Sequence, residues 1–444
     1  MKNWKKKTWP PEIASATAPL SANQTRALCI MVVLVGHVSF RSVPRVMGLF
    51  SKPKDWIPHF TSVINWTLRF GLALLSQVAP IDQAWVAILD HSIDIGVKKV
   101  LVVLRVRLDA LQRRGAALQL EDCQCIGIQV MERSDGESVA EALKEIFTTA
   151  GSPTAIIKDG GLDLCRGVGL WREQTGQQQV KVIDDIGHVV ANSLKSQYAK
   201  SKLFQTFLAI INSCAKKLRQ TNLAFLVPPK LRTKGRFQGV TKLAQWAERI
   251  LNVLDENQQN PDYKKLRTSL LGLSQVKAFL RKFAETVLTT SKIMQILKNE
   301  GLNQKTYREC QKLTQTLPER SATRMRISDW LNKHLSIQCR LGIGQTPLPV
   351  SSDIIESLFG KFKAILERGS MLDMNRSVLL LPTLCANHES FTIQTALRRT
   401  LHKDIENWDH AHIPYTQNRR RRNFLAGHLA KLIQETGKNQ SETT

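Results

Sequence analysis

Long apolar runs are missing from this 444-residue chain. The longest uncharged apolar stretch, Ala27–Val35, is too short to cross a bilayer, which takes about 20 residues. Zinc-type cysteine spacing is missing as well. The eight cysteines are scattered, the one close pair (Cys123 and Cys125) has a single residue between them, and the ten histidines form no cluster with them. Reduced, mostly buried thiols follow as the default. The N-terminal MKNWKKKTWPPE is basic but has no apolar segment or small-residue cleavage site behind it, so a cytosolic location is expected, or a nuclear one in a eukaryotic host. No internal repeat is visible. Acidic residues are scarce: 37 Asp+Glu stand against 63 Lys+Arg, a formal net charge of +26. In the first eighty residues only Glu12 and Asp55 are acidic. Such an excess of positive charge calls for a polyanionic partner, most simply DNA or RNA, with a membrane surface the weaker option.

What is present is ordinary in bulk. Hydrophobic residues make up 43% and charged residues 23%, as in a globular protein, and the length allows two or three domains. Residues 1–20, rich in Lys, Pro, Ala and Ser, read as a disordered or extended basic arm. Helical spacing begins near Ser21, with Ala27, Ile30, Met31, Leu34 and Val35 three and four apart. Ser39 is an N-cap candidate for a second short helix, Phe40–Phe50, and a third helix is predicted from about Pro58 to Gln77. Three helices with a tight turn predict a helix-turn-helix domain over 21–80. Its third helix would present His59, Thr61, Ser62, Asn65 and Arg69 to a DNA groove. A plain three-helix packing unit is the bland alternative.

From Trp85 the pattern changes to α/β. Trp85–Val106 reads as two adjoining strands with a turn near Gly96, because short runs rich in β-branched residues suit strands buried on both faces. Strands are predicted at 85–94, 98–106 and 123–132, then a helix Ser138–Ala150, a strand at 155–158, a short helix Leu162–Glu173 and a fifth strand at 180–183. Together they make one α/β layer with a mixed sheet. After His188 strand signals stop, and the chain reads as helices to about residue 336. Ser351-Ser352-Asp353 offers N-caps for a helix Ile354–Glu367. The C-terminal region carries Arg398-Arg399 and Arg419-Arg420-Arg421-Arg422.

Three acidic residues stand out. Asp90 ends the first apolar run, Asp159 ends another strand just before two glycines, and Glu356 opens a late helix. Alone, Asp90 reads as a turn residue. Two strand-borne aspartates and a helix-borne glutamate are what a two-metal phosphodiester site needs, since magnesium takes a few carboxylates plus water and phosphate oxygens. Several neighbours compete for these roles. Asp94 replaces Asp90 if the strand bulges. Asp163 reads as a helix N-cap. Asp184 and Asp185 are metal candidates or capping residues. His188 either positions the water or scissile strand, or makes a structural hydrogen bond to Asp185. Lys363 falls on the Glu356 helix face and either holds a DNA phosphate or is solvated, with Lys361 and Arg368 weaker candidates of the same kind. Trp246 and Trp330 are read as core tryptophans, with stacking on a flipped base as the alternative. Arg419, Arg420, Arg421 and Arg422 are read as a DNA-backbone contact, against a disordered tail or an import-like patch.

On these residues the chain resembles a DDE transposase of a bacterial insertion sequence. The resemblance is carried by Asp90-His91-Ser92, Lys158-Asp159-Gly160-Gly161 and Ser351-Ser352-Asp353-Ile354-Ile355-Glu356-Ser357. Asp185-Ile186-Gly187-His188 matches the Asp/Cys-x-x-His signature of hAT- and Mutator-like transposases, and Asn65-Trp66, Arg69 and Gly71 look like the helix-turn-helix entry of insertion-sequence enzymes. The long interval between Asp159 and Glu356 fits only insertion-bearing branches. The resemblance implies an RNase H-like α/β catalytic core over 81–188 and 346–400, an all-α insertion over 189–345, the helix-turn-helix domain in front and a basic tail over 401–444. It implies catalysis by Asp90, Asp159, Glu356 and His188, with two Mg2+ ions (Mn2+ substituting) on the three carboxylates. It further implies double-stranded DNA as partner, both ends and target, at least a homodimer in the DNA complex, no membrane, and a cytoplasmic, nucleoid-associated location. Rival readings are a structure-specific nuclease on the same fold and a DNA-binding regulator that has lost catalysis.

Overall fold

The computed structural model describes residues 20–50, 56–93, 99–114, 118–131, 134–231, 237–255, 261–366, 375–386, 388–413, 416 and 420–427. Asp94, Gly96, Arg368, Arg419, the basic arm and the end of the tail lie outside the described residues. Three helices come first: α1 (Ala22–Leu34), α2 (Val43–Phe50) and α3 (Phe60–Ser76). The α/β part follows as β1 (Trp85–Ile93), β2 (Lys99–Arg107), α4 (Leu108–Arg114), β3 (Cys123–Met131), α5 (Gly136–Ala150), β4 (Ala155–Lys158), α6 (Leu162–Gln174) and β5 (Lys181–Asp184). A helical stretch succeeds it: α7 (Ile186–Tyr198), α8 (Lys202–Leu218), α9 (Val240–Asp255), α10 (Pro261–Ser269), α11 (Lys277–Glu300), α12 (Gln304–Thr316) and α13 (Ala322–Arg340). The chain closes with α14 (Asp353–Leu366), α15 (Leu380–Thr383), α16 (Ser390–Arg399) and α17 (His402–His412). Among the described residues no helix is long and apolar enough to cross a membrane.

The sheet has five strands in the order β3-β2-β1-β4-β5. β1 and β2 pair antiparallel, as do β2 and β3, while β1–β4 and β4–β5 are parallel. This mixed sheet is compatible with an RNase H-like core. Its strands form where the sequence places unbroken β-branched and aliphatic runs, because both faces are covered. On one face Val86, Ile88, Val102, Leu104, Ile157 and Ile183 join a core that includes Ile355, Leu358 and Phe362 of α14. On the other, Ala87, Leu89, Leu101, Val103 and Ile156 pack on Val139, Leu143 and Phe147 of α5 and on Leu164, Val168 and Trp171 of α6. Full burial of such side chains contributes roughly 1.5–3 kcal/mol each.

The boundary expected at residue 80 is not a break in the packing. α3 buries Val63, Trp66, Thr67, Leu68, Phe70, Gly71, Leu72 and Ala73, which leaves little of its surface uncovered. It lies against α1 on one side and against α15, α16 and α17 on the other. Gly71 permits the closest of these approaches: a Cβ there would stand 1.7 Å from the carbonyl oxygen of Leu379. The stretch expected as the start of a basic tail is instead α17, whose Ile405 is fully buried in the same core. The second helix starts at Val43 rather than Phe40 because Ser39 and Ser42 close a hydrogen-bonded turn first.

Candidate active site

The register of two parallel strand pairs assembles the site. Leu89 of β1 stands opposite Lys158 of β4, and Lys158 stands opposite Asp184 of β5. The next residues along, Asp90 and Asp159, therefore come side by side where the pairing of β1 with β4 ends. Alternation along the strand puts Asp90 on the face of Val86 and Ile88, which is the face that α14 covers. Glu356 lies in the first turn of α14. Asp90 feels the charge of Asp159, Glu356 and Asp185. Asp90, Asp159, Glu356 and His188 thus gather around the end of β4, next to the central strand β1. His188 Nδ1 is 4.0 Å from Asp159 Oδ2.

Asp90 is largely withdrawn from water. That burial, then the charge of Asp159, pushes its pKa up to about 7, against the pull of a 2.7 Å hydrogen bond from the His91 amide. Glu356 is also raised, by partial desolvation first and by Asp353 next, although its side chain reaches solvent. Surplus negative charge of this kind is what a divalent cation relieves. The donor set is all oxygen, as magnesium prefers. Among the described residues no three His, Cys, Asp or Glu side chains stand close enough to enclose one ion. Magnesium keeps several waters and takes only one or two carboxylates per ion, so an open group of carboxylates fits it better than a closed cage would.

The loop after β4 is tightly specified. Asp159 Oδ1 accepts from the Gly161 amide at 2.7 Å. A Cβ on Gly161 would stand 2.9 Å from that oxygen and 2.8 Å from Asp163 Oδ1, so glycine is what lets the carboxylate fold back on its own loop. Asp163 ties the loop to β2, accepting from Lys99 Nζ at 2.6 Å and from the Ser134 hydroxyl. Burial raises its pKa, but those two hydrogen bonds and the charges of His91 and Lys99 outweigh it and hold Asp163 at about 2. Its N-cap reading gives way to this anchoring role, because the N-cap of α6 is Gly161. His91 points to the opposite sheet face from Asp90; burial, partly offset by Asp163, lowers its pKa to about 4.

The two aspartates at the end of β5 are both structurally engaged. Asp184 accepts from Lys158 Nζ at 2.9 Å and Lys333 Nζ at 2.8 Å. Burial works against its charge, yet these contacts hold it down at about 2. Its amide donates to His334 Nε2 at 3.1 Å and its carbonyl accepts from Trp330 Nε1 at 2.9 Å. Asp185 is 2% exposed and caps α7, accepting from the His188 amide at 2.8 Å. Lys158, Ser352, Lys333 and His334 escape the sequence reading as partners. A lysine inside a buried strand is the available signal, since it demands a carboxylate beside it.

Residues predicted to touch DNA are placed unevenly. His59 and Thr61 are exposed at the start of α3, where His59 is the N-cap; Asn65 is half-buried. Arg69 turns inward: its Nε donates to the Thr400 carbonyl at 2.6 Å and its guanidinium also donates to the Leu397 carbonyl, closing the C-terminus of α16. Lys363 is half-buried on α14, while Lys361 lines a groove of about 410 Å³ with Lys298, Asp353 and Ser357. Arg420, Arg421 and Arg422 are exposed on a helical stretch over 420–427. Trp330, 4% exposed and stacked on His334, is a core residue, whereas Trp246 is half-buried against the core and donates to the Leu226 carbonyl. A polar cleft of about 660 Å³ between α9 and α11 lies apart from the carboxylates.

No protein-family model matches the chain, and no curated protein matches it. Among solved structures, the chain aligns with the Drosophila P element transposase strand transfer complex at 12% sequence identity, over 89% of this chain and 95% of that chain, with a TM-score of 0.40.

Proposed function

We propose that the chain is a DDE-type DNA transposase. The reading rests on register: Asp90 on β1 and Asp159 just past the end of the parallel strand β4 come side by side, and Glu356 adds its charge from a helix that packs on β1. Asp90, Asp159 and Glu356 would hold two magnesium ions, for which manganese substitutes. Such ions supply an activated water and stabilise the attacking and leaving oxygens of an in-line displacement. The chain's own groups do the rest. His188, beside Asp159, orients the scissile strand. Lys361 and Lys363 on α14 neutralise a DNA phosphate next to the carboxylates. His59, Thr61 and Asn65 on the N-terminal helices read the terminal inverted repeats, and Arg420, Arg421 and Arg422 grip the backbone. The net charge of +26 supports a DNA-bound working state. Hydrolysis at an end frees a 3′-hydroxyl, and that hydroxyl attacks a target phosphodiester in the same site. Joining two ends calls for at least a dimer.

The DNA flanking the gene supplies the substrate. Full-length protein with duplexes carrying short inverted repeats from that DNA is expected to nick the ends in Mg2+ or Mn2+ and then to give joined products. Asp90→Asn and Glu356→Gln are expected to abolish both. Cleavage of branched DNA without joined products would assign the site to a structure-specific nuclease. End binding with no cleavage by the wild type would assign the chain to a DNA-binding regulator descended from such an enzyme.

A further inference from the structure

Asp185 uses its two carboxylate oxygens on two different helices. Oδ1 accepts from the His188 amide at 2.8 Å, in the first turn of α7. Oδ2 accepts from the Ser352 amide at 2.7 Å and the Ser352 hydroxyl at 3.2 Å, at the start of α14. One negative charge thus sits at two helix N-termini, where the exposed N–H groups and both helix dipoles favour it. A third link runs alongside: the Ile186 amide donates to the Val350 carbonyl at 3.0 Å. Lys298 from the end of α11 closes the remaining side through Asp353, at 2.6 Å. His188 and Glu356 occupy the first turns of the helices joined in this way.

We infer that Asp185 is a positioning residue that locks the first turns of α7 and α14 together, and so holds His188 and Glu356 in place against Asp159 and Asp90. Its catalytic consequence rests on the transposase reading above; the lock itself does not. A cap of α7 alone needs one acceptor, which serine or asparagine provides. The lock needs two acceptors on one side chain. In Asp185→Asn the amide nitrogen must face a backbone N–H on one of the two helices, so one link is lost whichever way the side chain turns. Asp185→Ser still caps α7 but does not span to Ser352.

Two measurements on the full-length protein test this. By hydrogen exchange, the amides of residues 352–356 are expected to open at least about 10-fold more readily in Asp185→Asn, with those of β2 unchanged. In single-turnover cleavage of end-bearing DNA, Asp185→Asn and Asp185→Ser are expected to lose about 10- to 100-fold in rate, the range seen when an outer carboxylate orienting a metal site is removed. The KM for DNA stays as in the wild type. Ser352→Ala keeps the amide donor and behaves almost as wild type; Ser352→Pro removes it and reproduces Asp185→Asn from the other side, which serves if the Asp185 variants do not fold. Unchanged exchange in both Asp185→Asn and Ser352→Pro, or full recovery by Asp185→Ser, overturns the inference. A wild type that never cleaves defeats the transposase reading, and the exchange data then decide the lock alone.

Discussion

Replacing Asp90 by asparagine should stabilise the metal-free protein while removing its chemistry. Asp90 titrates near 3.8 when unfolded and at about 7 when folded, raised by burial and by Asp159. Between those two values the unfolded chain has released a proton that the native state keeps, so stability falls as pH rises through this window and levels off above it. At about 1.4 kcal/mol per pKa unit, the span from 3.8 to about 7 sets a ceiling of about 4 kcal/mol. Water reaching the carboxylate and relaxation of its neighbours reduce this to about 1–2 kcal/mol. The asparagine carries no charge at any pH and keeps an oxygen for the His91 amide. Melting in EDTA should therefore show Asp90→Asn above the wild type at pH 8, with the gap closing by pH 4. Magnesium should raise the melting temperature of the wild type more than that of the variant. An Asp90→Asn protein that melts below the wild type at pH 8, or by a margin that ignores pH, refutes the claim that burial and the neighbouring carboxylates together disfavour the Asp90 charge.

Three further outcomes follow from packing and charge. Arg69→Ala should destabilise the fold by about 2–3 kcal/mol, because two carbonyls at the end of α16 lose a charged donor; denaturation measures this, and the salt dependence of DNA binding should stay as in the wild type, whereas Arg421→Ala should lower that slope by about 1. Gly71→Ala should cost at least the about 1–3 kcal/mol typical of overpacking, since the new methyl meets the backbone carbonyl of Leu379 and not a side chain that can swing away; a loss below about 0.5 kcal/mol would mean that α3 does not pack this closely. Asp163→Asn should cost about 1–2 kcal/mol at neutral pH, below the ceiling of about 2.5 kcal/mol at about 1.4 kcal/mol per pKa unit because Lys99 is partly exposed, and almost nothing below pH 2. The sign follows from a depressed carboxylate: its contribution is complete above 3.8 and disappears as pH falls through about 2.

The strands are readable in the sequence because burial on both faces writes itself as unbroken apolar runs, and Asp90 and Asp159 are conspicuous as charges ending two of them. What strand assignment alone does not contain is adjacency. Only the parallel pairing of β1 with β4 puts those two residues together, and pairing is a long-range choice. The position of α3 after two short helices suggests a groove-facing helix. Its later turns are built for packing: along seventeen residues Arg69 is the one charge, and Thr67 and Gly71 are small where neighbours crowd in, so the exposed surface is concentrated at the start of the helix, at His59 and Thr61. α17 leaves little trace because its apolar stripe is reduced to Ile405 and Trp408 among eleven mostly polar residues, too few for a period to show. The partners of Asp184 are out of reach for a different reason: Lys333, His334 and Trp330 lie far along the chain, and nothing local in either segment points to the other.

The distance along the chain between Asp185 and Ser352, 167 residues, has a consequence in polymer terms. Bringing the ends of a flexible loop that long together costs about 4–5 kcal/mol of chain entropy by the (3/2)RT ln n scaling, before any constant. The helices between them shorten that loop. Once Trp330, Lys333 and His334 of α13 have settled on Asp184, the stretch still to be closed runs only from Leu341 to Val350. The same scaling then gives about 2 kcal/mol for about ten residues. Whatever else the helical stretch contacts, its folding shortens the search by which the last carboxylate, Glu356, finds the first two.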